Sequence, residues 1–172
     1  MEPVLSSAPD ELVRQQFTAQ LAAARQLMLA LAEVGTVHCS LGLHRNDVDD
    51  TDDEGGRPLF SLFTLSWRDT SWAPRHITAA RAATVENHTH VEYFDLPCGP
   101  ASISETVRTA AAGSGFPQEP LLQVFAHLPH PDGKRLAVLT LSTSAVRHRE
   151  QYRSILRQIA ELVSFENPLT GT

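Results

Sequence analysis

The side chains in this chain that could do chemistry are histidines, carboxylates and thiols, and three stretches concentrate them. His88-Thr89-His90-Val91-Glu92 sets two imidazoles and a carboxylate at alternate positions. In a strand, positions 88, 90 and 92 point the same way, and such a trio can hold a divalent metal. The competing reading is a solvated strand face or a helix-to-strand junction, and it is preferred. DVDDTDDEGG, Asp47 to Gly56, offers Asp50, Asp52, Glu54 and Gly55 in the order of a calcium loop. Its twelfth position would be Ser61, where a bidentate glutamate is needed, so a hydrated acidic loop is expected instead. Cys98 lies in VEYFDLPCGPA, with no second cysteine at redox spacing and no adjacent histidine. A reactive thiol needs a neighbouring cation or a helix N-terminus. Between Pro97 and Gly99-Pro100, Cys98 reads as a small side chain packed beneath a rigid turn.

Other signals of catalysis are missing. There is no Gly-x-Ser-x-Gly elbow, and AGSGFP at 112–117 is not followed by Gly-Lys. His127, Pro129, His130 and Pro131 bracket a turn and read as turn chemistry. Hence no catalytic residue, cofactor or metal is assigned, with His88, His90 and Glu92 as the weak metal candidates. Trp67 reads as core. Trp72, on the loop beside it, and Arg75 next to that loop are candidates for contact with a protein partner.

The elements that must position these groups follow from periodicity. Residues 1–9 read as a loose tail. Asp10 can cap a helix over 10–34, with Val13, Phe17, Leu21, Ala24, Met28 and Leu31 recurring at steps of three and four. Residues 36–44 alternate, with Val37, Cys39, Leu41 and Leu43 on an apolar face. An acidic loop over 45–58 leads to a second strand at 59–67. A short helix over 74–84 follows, with Ile77, Ala80 and Arg81 covering the sheet. Strands are predicted at 88–96, 100–108, 120–128 and 134–142, with a connector over 110–120 and an Asp132-Gly133 hairpin turn. Ser144 can cap a last helix striped by Tyr152, Ile155, Leu156, Ile159, Leu162 and Val163. Residues 167–172 form a tail.

The order α-β-β-α-β-β-β-β-α predicts a single α+β domain over 10–166. Its sheet of about six strands is mostly antiparallel and packed between helices. A chain of 172 residues, 42% hydrophobic and 20% charged, can bury a core without a disulfide. The formal charge of −6 argues against nucleic acid or an anionic membrane as partner. The N-terminal segment lacks the basic and apolar regions of a signal peptide, and no apolar run approaches a span, so a cytoplasmic location is expected. Lys134 stands alone against thirteen arginines, a composition typical of GC-rich bacterial genomes.

LPCGPASISETV, LLQVFAHLPHPDGKRLAVLTLSTS and YRSILRQIAELVSF together resemble the superfamily of the photosystem extrinsic protein PsbP and the Ran-binding nuclear import factor. Small actinobacterial proteins, mycobacterial lipoproteins among them, share the pattern. The shared features are a Leu-Pro-x-Gly lead-in to a strand, an antiparallel meander, a Thr/Ser-rich strand end and a last helix closing on Ser164-Phe165. They cover about residues 59–165. The long N-terminal helix and the lack of a lipobox cysteine depart from the secreted members. His88-x-His90 also resembles the opening of a cupin metal motif, with Asp95 nearest to its acid, but the second cupin motif is missing.

The resemblance implies a binding or assembly module with no catalytic residues to carry over. The expected function is therefore a non-enzymatic protein-binding or accessory module, with a protein partner or a homodimer formed through the N-terminal helix. The alternatives are a small-molecule or metal binder using the His88/His90/Glu92 face, and a secretion or assembly chaperone.

Overall fold

The computed structural model describes residues 28–44, 59–84, 88–109 and 118–166, together with residues 15, 18, 22, 25 and 26. The chain divides into two compact units, Met1–Thr36 and Val37–Thr172. In the first, the described residues from 15 to 33 are helical, as the spacing predicts. Met28 and Leu29 are more than half exposed there. Val13, Phe17, Leu21 and Ala24, the rest of the expected apolar stripe, lie outside the described residues.

The second unit is built on one six-stranded sheet. Its strands are β1 (Thr36–His44), β2 (Leu59–Asp69), β3 (His90–Leu96), β4 (Gly99–Arg108), β5 (Leu121–Pro129) and β6 (Arg135–Thr143). The spatial order is β1-β2-β6-β5-β4-β3. The β2–β6, β6–β5, β5–β4 and β4–β3 pairs are antiparallel. Two helices complete the unit: α1 (Arg75–Thr84), and α2 (Arg149–Glu161) behind a short 3-10 turn at Val146–His148. The α+β class and the antiparallel six-stranded sheet are those the sequence predicts. The acidic loop, at 45–58, and the connector from 110 to 117 lie outside the described residues.

Pleating sorts the two faces of the sheet. One face carries Ile103, Leu122, Val124, Ala126, Leu128, Ala137, Leu139 and Leu141, closed over by Tyr152, Leu156 and Ala160 of α2. It is the main core. The opposite face is more polar. Phe125, Leu136 and Val138 make a small apolar cluster with Ala82 of α1. Ser102, Ser104, Thr106 and His127 lie buried on that face. Ser102 Oγ donates to the Ala79 carbonyl at 2.8 Å, tying α1 to β4. A hydroxyl buried here needs such an acceptor, because an unpaired one would cost about 1–3 kcal/mol.

Several local expectations change. α1 buries Thr78, Ala79 and Ala83 rather than Ile77, Ala80 and Arg81, because small residues let it sit close to the sheet. The predicted Ser144 cap is not formed. His148 occupies the N-cap of α2 without a side-chain bond, and the 3-10 turn takes up the intervening residues. Leu162 falls just past the helix end and is 85% exposed, outside the stripe. The Asp132-Gly133 turn is as predicted: Gly133 has φ 70°, and Asp132 Oδ1 accepts the Lys134 and Arg135 amides at 2.8 and 3.1 Å.

Candidate functional site

The strand trio does not converge. β3 begins at His90, so His88 precedes the strand and its ring packs on Phe125 and His127, with centroids 5.1 and 6.0 Å away. His90 and Glu92 do share a face, with His90 Nε2 bonded to Glu92 Oε1. That face belongs to an ion-pair network. Arg153 of α2 reaches Glu92 at 3.7 Å and Glu105 at 3.5 Å, and Arg149 approaches Glu105 at 3.5 Å. The Arg153 guanidinium at Glu92, with Arg149 at neighbouring Glu105, makes the face electrostatically unfavourable for a metal cation. Among the described residues no group of three potential ligands could hold a metal ion. The sequence reading missed Glu105, a buried carboxylate in a strand, and Arg153, which approaches it from the helix.

Arg75 and Cys98 belong to one arrangement. The Arg75 guanidinium donates to the Pro129 carbonyl at 3.0 and 2.8 Å and also to the Cys98 carbonyl. Gly99, at φ 119°, lies against it, and a Cβ there would collide with the guanidinium. The first helical residue thus clamps the β3–β4 turn to the end of β5. Cys98 is partly buried, and burial raises its thiol pKa despite nearby Arg75, which keeps it a poor nucleophile. Cys39 and Cys98 are both free thiols. Trp72 is 73% exposed, its ring lying along the β5–β6 hairpin at Gly133. Trp67 packs against the main core and stacks edge-on with His130, 5.8 Å between centroids.

On the polar face, Ser104 and His127 form a buried pair, Oγ to Nε2 3.2 Å. Burial, with His88 and Arg68 nearby, lowers the His127 pKa to about 3, so the ring is neutral at physiological pH. Its Nδ1 is buried with no hydrogen-bond partner. Ser104 is fully buried, and among the described residues no carboxylate orients the imidazole, the third group that a Ser-His nucleophile needs. His127 lines a cleft of about 230 Å³ with Arg68, Thr70, Thr78, Arg81 and Phe125. The sequence offered one clue: His127 alternates with the apolar row of β5 and so faces the other side.

A second feature is the edge strand β1. Val37, Leu41 and Leu43 project from it with 62%, 69% and 66% of their surface exposed. The alternation predicted an apolar face there of Val37, Cys39, Leu41 and Leu43, of which Cys39 is partly buried. No helix among the described residues is long and apolar enough to cross a membrane.

No family model matches the chain, and no solved structure gives a significant match. A stretch of 91 residues is 31% identical to a protein described as thrombin-like enzyme halystase, from Gloydius blomhoffii. The stretch covers 52% of this chain and 37% of that protein, so the chain spans little more than a third of the relative it matches. A partial similarity of this extent leaves the chain without an assigned family.

Proposed function

We propose that this chain is a non-enzymatic protein-binding module that takes up an extended apolar segment of a partner along β1. The carrying observation is that the two sheet edges are treated differently. β3, with the sequence HVEYFDL, carries Glu92 and Asp95 and is followed by Pro97, features that discourage pairing with a further strand. β1, with the sequence TVHCSLGLH, has no carboxylate, lysine or proline and displays Val37, Leu41 and Leu43 to solvent. An unguarded edge with an apolar row offers backbone bonds for affinity and side-chain contacts for specificity. The resemblance to PsbP-like binding and assembly modules supports the same reading. An assembly or secretion chaperone role is the form it takes if the partner is an unassembled chain.

The test is affinity capture from native extract with the full chain and with Leu41→Lys/Leu43→Lys, alongside light scattering of both. A stoichiometric partner that the lysines abolish, with the thermal midpoint unchanged, is the expected result. A self-associated chain that the lysines make monomeric would identify the partner as a second copy. Identical behaviour of the two proteins would refute the proposal.

A further inference from the structure

The cleft beside α1 has its own chemistry, separate from the β1 edge. Its rim carries Arg68 and Asp69 from β2 and Arg81 from the last turn of α1. Among the described residues, neither guanidinium has an ion-pair partner. Two cations against one anion leave the rim with one net positive charge. Thr70 Oγ1 is buried without a hydrogen-bond partner, as is His127 Nδ1. The floor is apolar: Phe125, Leu136 and Ala82.

Unmatched donors at the mouth over an apolar floor call for an acceptor-rich head on an apolar body. We propose that this cleft binds a small monocarboxylate with a compact apolar body, its carboxylate held by Arg68 and Arg81. The single negative charge matches the rim. A phosphate dianion would leave excess negative charge beside Asp69. A guanidinium also meets a planar carboxylate through two parallel hydrogen bonds. Size sets the body. An apolar cavity of about 150 Å³ holds benzene, so the cleft's 230 Å³ takes a single ring or a branched chain together with its carboxylate.

Titration calorimetry of the full chain with benzoate and 3-methylbutanoate tests the assignment, with benzamide and inorganic phosphate as controls. At least one carboxylate should bind at a single site with Kd of about 1 mM or tighter, and both controls about tenfold more weakly. Arg81→Gln, at an exposed helix position, should weaken binding about tenfold with the thermal midpoint unchanged. Arg68→Gln should do the same. No saturable carboxylate binding overturns the proposal. So does binding of benzamide or phosphate as tight as that of the carboxylates, or carboxylate binding that neither arginine variant changes.

Discussion

Arg75 shows how a residue that looks available for recognition can be spent on structure. Its guanidinium satisfies the carbonyls of Pro129, at the end of β5, and of Cys98, in the β3–β4 turn. Hydrogen bonds from a charged donor contribute about 1.5–3 kcal/mol each, so Arg75→Ala is expected to cost about 3 kcal/mol in urea unfolding. Gly99→Ala should be destabilising in the wild-type background, through its positive φ and its collision with the guanidinium. In the Arg75→Ala background the collision is gone and only the backbone strain remains, so a double-mutant cycle should find the two changes non-additive.

His127 gives a pH signature. Its folded pKa of about 3 lies below the 6.5 of an unfolded histidine. Below that unfolded value the unfolded chain takes a proton that the folded chain does not. Stability conferred by the neutral ring is therefore complete above pH 6.5 and lost as pH falls, at about 1.4 kcal/mol per pH unit. His127→Gln keeps a group near Ser104 but does not titrate. Its unfolding free energy should fall less steeply between about pH 6 and pH 4. Equal slopes would mean that His127 is protonated in the folded state.

Among the elements, α2 is fastened to the sheet in two ways. Tyr152, Leu156 and Ala160 bury its apolar stripe, while Arg149 and Arg153 face Glu105 and Glu92 beside it. Arg157 adds a cation over the Phe94 ring at 4.1 Å. Glu105 is almost wholly buried, so removing its counter-charge should cost more than a surface pair would. Arg153→Met is expected to lower stability by about 3 kcal/mol, and Arg157→Met by less than about 1 kcal/mol. Denaturant midpoints of the two variants would check the contrast. Comparable losses would place the weight on packing rather than charge.

At the scale of the whole molecule, the described core lies in one unit. Every buried core residue among those described falls within Val37–Thr172. A chain starting at Val37 is therefore expected to unfold cooperatively, with a thermal midpoint within a few degrees of the full chain, as scanning calorimetry would show. A non-cooperative transition would assign the N-terminal helix a share of the core. At this scale the division between sequence and structure is also clear. Strand and helix positions were legible because burial on one face imposes a period of two or 3.6 on the chain, and the Asp132-Gly133 turn because few residues accept φ of 70°. The α+β class followed from the order of those elements. Strand order was decided only in three dimensions. β6 lies between β2 and β5, and this places Arg68 of β2 beside Leu136 of β6, where α1 brings Arg81 to the same cleft. The separation of His88 from His90 and Glu92 likewise depended on where β3 starts, since one residue outside the strand is freed from its alternation. Local periodicity carries no information about residues far apart in sequence. The pairing of Glu105 with Arg153, the Arg75 clamp and the position of β1 at the sheet edge were therefore set by the tertiary structure alone.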